Sequence, residues 1–277
     1  MLSRKTFLSI LAVSIALVAF GGQMANGAVI YHDDFSGSSD TALNGQAPDI
    51  RPGSETWTTP TTTGTFWKAD GTIHITGAAH LNRAAYLPFT PTAGKIYTLE
   101  AEMDPVATEN NSIQTLGFIG AVTNIDNAGS SGAFASASSP GVAWTILRGN
   151  RSLMQFVEGP AFSNQTNVNT GVPSGTVKFT IILDTTPTNW TADFYVNDVH
   201  IPAATKTFGI NPTINFVGFY GRNATTSATS SQLHGNMFSF TLSDNSEIPE
   251  PSTWALLLIG TAGLGLCARR RAKRATK

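Results

Sequence analysis

The clearest pattern in the chain is a two-residue alternation. From Ile96 to Asp104, Tyr97, Leu99, Ala101 and Met103 point one way while Thr98, Glu100, Glu102 and Asp104 point the other. That is a strand with one face in a core and one in water. The period returns from Val177, where Val177, Phe179, Ile181 and Leu183 oppose Lys178, Thr180 and Asp184, and again in Trp190, Ala192, Phe194 and Val196. The turn-like Thr185-Thr186-Pro187-Thr188-Asn189 between these last two runs makes them an antiparallel pair. Further strands are expected at Thr72–Thr76, Ala79–Phe89, Ile113–Val122, Val142–Leu147, Ser152–Glu158, Ile214–Tyr220 and Met237–Leu242. Between Val29 and Asn245 no helix of convincing length is found. About a dozen strands over roughly 215 residues predict one antiparallel β-sandwich. A Gly, Ala and Ser-rich stretch, Asn124–Pro140, is expected as a long loop or a lid over one face, with a shorter loop at Asn223–Ser231.

The two ends follow a different pattern. Arg4 and Lys5 precede an apolar run from Phe7 to Phe20 and then small and polar residues around Ala25 to Ala28. This order is that of a secretory signal peptide over residues 1–28, cleaved between Ala25 and Val29. The run of 14 residues is short against the roughly 20 needed to span a bilayer. At the other end, Ile248-Pro249-Glu250-Pro251-Ser252-Thr253 leads into an uncharged stretch, Trp254 to Ala268, and then a basic cluster opening with Arg269, Arg270 and Arg271. Prolines on both sides of Glu250 keep that segment extended and accessible to an enzyme. Fifteen residues rise about 22 Å as a helix, and counting from Pro251 with snorkelling arginines makes a transmembrane span adequate. Six positive charges beyond it hold that end in the cytoplasm and place the body outside the inner membrane. The expected division is therefore a leader at 1–28, a β-sandwich domain at 29–246 and a tail at 247–277.

Charge narrows the partners. Of the 17 Lys and Arg, eight lie in the two ends, which leaves nine in the body against 17 of the 18 acidic residues. A body negative by about eight charges is a poor tracker of phosphates, so nucleic acid is excluded and no basic patch for a polyanion is expected. The single cysteine, Cys267, lies in the apolar tail, so the body has no disulfide framework and depends on a large core.

The tail resembles the PEP-CTERM sorting domain, on Pro249-Glu250-Pro251, the short apolar stretch, the arginine run and its position at the C-terminal end. The resemblance implies an exosortase as partner, an integral-membrane cysteine transpeptidase of bacteria that make exopolysaccharide. It makes Pro249, Glu250 and Pro251 substrate residues and Arg269, Arg270 and Arg271 the membrane stop. The body's opening, Asp33-Asp34-Phe35-Ser36-Gly37 with Leu43-Asn44-Gly45, Pro48-Asp49 and Trp57, resembles concanavalin A-like lectin/glucanase domains, as do the strands Phe179–Asp184 and Trp190–Asn197. That second resemblance implies a jelly roll and an affinity for carbohydrate.

Candidate chemistry in the body is sparse. Glu100, Glu102 and Asp104 share a strand face, as the paired carboxylates of a retaining glycosidase must. The laminarinase-like branch of the fold uses Glu-x-Asp-x-x-Glu, but the position of its second Glu is Ala107, and Pro105 ends the strand. No catalytic residue is therefore assigned and the body is read as non-catalytic. Asp33, Asp34 and Asp244 are candidates for a calcium tie between first and last strands, with turn aspartates as the plainer reading, so no cofactor is assigned. His32, His74, His80, His200 and His234 have no zinc-ligand spacing and are read as ordinary strand and loop residues. Trp57, Trp67, Trp144 and Trp190 are candidates for stacking on sugar rings or for the core. The expected function is an exported protein, held briefly at the inner membrane with its body in the periplasm and then sorted to the cell surface or exopolysaccharide matrix of a biofilm. Alternatives are a divergent polysaccharide hydrolase or lyase and a self-associating matrix protein.

Overall fold

Where apolar side chains alternate with Thr, Glu and Lys, an extended backbone puts the first set on one side, and pairing such strands buries that side. The computed structural model describes residues 27–36, 41–59, 67–69, 71–75, 82–104, 113–123, 134–136, 139–160, 162–169, 171–222 and 236–245. The first strands are β1 (Ala28–Asp33), β2 (Thr41–Ala42), β3 (Trp67–Ala69), β4 (Ile73–Ile75), β5 (Asn82–Pro88) and β6 (Ile96–Asp104). They are followed by β7 (Ile113–Ile119), β8 (Ala135–Ser136), β9 (Ser139–Arg148), β10 (Met154–Glu158) and β11 (Gln165–Val168). The last are β12 (Val177–Asp184), β13 (Thr191–Val196), β14 (Val199–His200), β15 (Lys206–Thr207), β16 (Phe216–Arg222) and β17 (Asn236–Asp244). Among the described residues the only helical pieces are two 3-10 turns, Phe162–Asn164 and Pro202–Ala204.

The strands form two antiparallel sheets. One has ten strands in the path β14-β13-β12-β6-β17-β4-β3-β2, with β1 on β17 and β15 on β13; the other has seven in the path β11-β10-β9-β7-β16-β5, with β8 on β9. The sequence neighbours β12 and β13 pair as expected, Phe179 opposite Val196 through Asp184 opposite Thr191. The non-local partners are what periodicity cannot supply: β6 lies between β12 and β17, with Leu99 opposite both Ile181 and Leu242. Asn197 and Asp198, both at positive φ, turn β13 directly into β14 as a tight hairpin.

The core lies between the sheets. Leu99, Ala101, Met103, Phe179, Ile181 and Phe240 meet Leu87, Leu116, Phe118, Phe156 and Phe219, all buried. Phe156 packs on Phe179 and Phe194, and Trp57 packs on Phe219 and Phe240. Each such side chain contributes roughly 1.5–3 kcal/mol by burial. Strand β6 keeps its alternation, but β7 is buried at all seven positions. The reason is a second apolar cluster on the outer face of the seven-stranded sheet, formed by Tyr86, Ile113, Phe134, Trp144, Ile146 and Tyr220 among others. Phe134 falls in the stretch expected to be a loop or lid, and β8 next to it pairs with the start of β9. The expected loop at 223–231 lies outside the described residues.

Asp33 is buried in this body. Its carboxylate accepts hydrogen bonds from the Trp57 indole N–H at 2.7 Å and from the Phe35 backbone N–H at 2.9 Å. Burial nevertheless dominates and pushes its pKa up to about 6. The folded chain thus holds this proton more tightly than the unfolded one. Its contribution to stability is complete below the ordinary value of 3.8 and is lost as pH rises through about 6. Denaturant titrations between these limits should show the wild type losing stability with rising pH, with that slope missing in Asp33→Asn. A parallel pH dependence in both proteins would remove Asp33 as its source.

Candidate functional site

The sorting residues Pro249, Glu250 and Pro251, the stop residues Arg269, Arg270 and Arg271, and the apolar stretch 254–268 lie outside the described residues. Among the described residues no helix is long and apolar enough to cross a membrane.

The strand-face carboxylates are placed on the ten-stranded sheet, and Glu100 and Asp104 are engaged by cations. Glu100 receives Lys178 and the Thr180 hydroxyl, each at 2.9 Å, and Asp104 pairs with Arg151. Glu102, opposite Lys178, is exposed. The calcium candidates do not gather. Asp33 is used by Trp57, and Asp244 is paired with Lys95 at 2.6 Å beside a concavity of about 380 Å³. Asp34 groups instead with Asp49 and His32, one ligand atom from each lying within 4.8 Å of the others. His32 is therefore no isolated strand residue: its Nδ1 is 2.9 Å from the Thr241 hydroxyl. Turn hydrogen bonds explain the approach of the two carboxylates, since the Asp34 N–H donates to Asp49 and the Ser36 N–H to Asp34.

The tryptophans divide against sugar stacking. Trp57 and Trp144 are 1% and 0% exposed, so both are structural, and Trp190 is partly buried against the core. Trp67 falls within β3. Trp144 donates its indole N–H to the Gly159 carbonyl at 2.9 Å and is covered by Phe134 and Phe162.

The outer face of the seven-stranded sheet also carries a polar stripe beside this aromatic cluster, with Gln155 buried within it and Arg148 and Arg222 half-buried. Arg222 on β16 and Arg148 on β9 are both cross-strand partners of Ile113, on the face that Trp144, Ile146 and Tyr220 share. Arg148 donates to the Gln155 amide oxygen at 2.8 Å, and the Gln155 amide nitrogen donates to Gln165 at 2.6 Å and Asn167 at 3.2 Å. The stripe crosses from β16 to β11, about 19 Å at the usual strand spacing. Sequence reasoning missed it, because its arginines lie 74 positions apart and only the sheet register makes them neighbours.

Comparison with known proteins adds two findings. Residues 247–271 match the model for the PEP-CTERM protein-sorting motif. The chain carries a PEP-CTERM tail. Among solved structures, the chain is similar to an endo-1,3-beta-glucanase from Streptomyces sioyaensis (TM-score 0.52, 11% identity), over 81% of this chain and 98% of that one. It is also similar to a protein of unknown function with a galectin-like fold from Bacillus subtilis (TM-score 0.51, 11% identity), over 78% and 96%. The body thus has the antiparallel sandwich fold of the lectin and glucanase jelly rolls. No curated protein sequence matches the chain.

Proposed function

We propose that this protein is exported, processed by an exosortase at its C-terminal tail, and delivered to the cell surface or surrounding polysaccharide, where its sandwich binds carbohydrate without catalysis. The observation that carries the sorting half is the motif at residues 247–271. Export by the leader at 1–28 and a brief anchorage through 254–268 complete that route. The carbohydrate half is supported by the jelly-roll fold that the body shares with lectin-like and glucanase structures. The non-catalytic reading is supported by Glu100 and Asp104, both spent on ion pairs.

The test is fractionation of the protein from a host with and without its exosortase, followed by passage of the released body over the producer's own polysaccharide. The enzyme should shift the body out of the inner-membrane fraction, and the body should be retained on the polysaccharide. A body that passes unretained removes the carbohydrate half and leaves the sorting half intact.

A further inference from the structure

We propose that the concavity where β5 and β17 end and β6 begins is the sugar site, and that it takes an uncharged hexose unit. Glu55 and the Thr90 and Thr92 hydroxyls bond the sugar hydroxyls there, and Pro52 and Pro88 pack on its C–H surface. This rests on the carbohydrate reading above and gives it a place and a class of sugar.

The flat faces of the sheets offer less. On the ten-stranded sheet Glu100 and Asp104 are spent on Lys178 and Arg151, and on the seven-stranded sheet Gln155 is buried within its own amide network. The concavity has a volume of about 380 Å³, within the range of about 300–1,000 Å³ usual for small-molecule sites. Its apolar lining includes the exposed Pro52 and Pro88 and the buried Tyr31, Phe89 and Tyr97. Its polar lining has unspent capacity. One Glu55 carboxylate oxygen accepts the Gly53 N–H at 2.7 Å, while the other takes no hydrogen bond among the described residues. The neighbouring Arg51 donates to the Glu55 carbonyl. Burial, and then the charge of Glu55, push the pKa of Tyr31 up to about 12, so the carboxylate acts on a phenol that lines the same concavity. Thr90 and Thr92 are exposed, and their hydroxyls make no hydrogen bond among the described residues. The backbone that carries these groups is tied down: the Tyr31 hydroxyl donates to the Pro88 carbonyl at 2.6 Å, and the Thr92 N–H donates to the Tyr97 hydroxyl at 2.7 Å. Groups fixed in advance lose little freedom when a ligand arrives.

Charge selects the sugar. Asp244 and Lys95 offset each other at 2.6 Å, which leaves the lining with the negative charge of Glu55, on a body negative by about eight charges. Sugar hydroxyls donate to that carboxylate, whereas a sugar carboxylate is repelled by it.

The experiment is calorimetric titration of the processed protein with neutral oligosaccharides cut from the producer's own polysaccharide, and with the same oligosaccharides after oxidation of their primary alcohols to carboxylates. The neutral form should bind at least about tenfold more tightly. Glu55→Gln should weaken binding of the neutral form about tenfold and narrow its advantage over the oxidised form. Glu102→Gln, which alters an exposed carboxylate on the ten-stranded sheet, should change neither. Oxidised oligosaccharides that bind the wild type as tightly as neutral ones, a comparison that needs no variant to fold, overturn the proposal and leave the carbohydrate reading standing. Wild-type affinity in Glu55→Gln removes the concavity as the site and likewise spares that reading. Failure of every oligosaccharide to bind overturns both.

Discussion

Changing Pro249, Glu250 and Pro251 together to alanine is expected to abolish processing, leaving a full-length chain in the inner-membrane fraction even when the exosortase is present. A proline fixes its own φ near −65° and pushes the residue before it out of the helical region, so Pro-Glu-Pro is a sequence that disfavours helix. Alanine is the strongest helix former. Three alanines in series with the uncharged stretch that begins at Trp254 allow a helix to run back through the motif. A helical segment without the prolines and without the Glu250 carboxylate no longer presents the motif. Intact mass decides the matter: the wild type should lose its tail after about residue 248, and the variant should keep it. Cleavage of the variant at the wild-type position and rate would dissociate the motif from processing.

Gly218→Ala is expected to destabilise the body severely. Gly218 sits in β16 opposite Tyr86, and a Cβ placed on it would lie 2.0 Å from the Ala85 carbonyl oxygen and 3.0 Å from its carbon. Both atoms are backbone of β5, so no side-chain rotation opens space. The strands must part, with loss of the ladder that runs from Phe216 opposite Pro88 to Arg222 opposite Asn82. Overpacking usually costs about 1–3 kcal/mol, and a clash with backbone that no rotamer change relieves belongs beyond that range, at about 4 kcal/mol or more. Against a typical total of about 5–15 kcal/mol, such a loss removes a large share of the stability. Circular dichroism and a denaturant midpoint measure this; a shift equivalent to less than about 1 kcal/mol would mean that β5 and β16 can separate locally at little cost.

The legible part of the fold was the part held in one segment. Strand β6 keeps the predicted alternation, and β12 and β13 pair through a short turn, because period and turn chemistry act over a few residues. Boundaries shifted where pairing rather than propensity ends a strand: the run expected at Val142–Leu147 extends over Ser139–Arg148 because β7, β8 and β10 all pair along it. Two-residue strands such as β14 and β15 carry no period and are defined by their partner β13. The tryptophans illustrate the same limit. An aromatic residue carries no mark in the sequence of whether a neighbouring sheet or solvent will meet its ring, and packing of Trp57 on Phe219, 162 positions away, decided one case.

By itself, the sequence determined the all-β class, the acidic and cysteine-free body, and the sorting tail, since each depends on composition or on residues adjacent along the chain. Only the tertiary structure decided which polar groups share a surface. It spent Asp33 on Trp57, Glu100 on Lys178 and Asp104 on Arg151, and it set Arg148 beside Arg222 across β7. The physical reason is that strand periodicity specifies the face on which a side chain lies, whereas its neighbours on that face belong to strands chosen by burial of a common core.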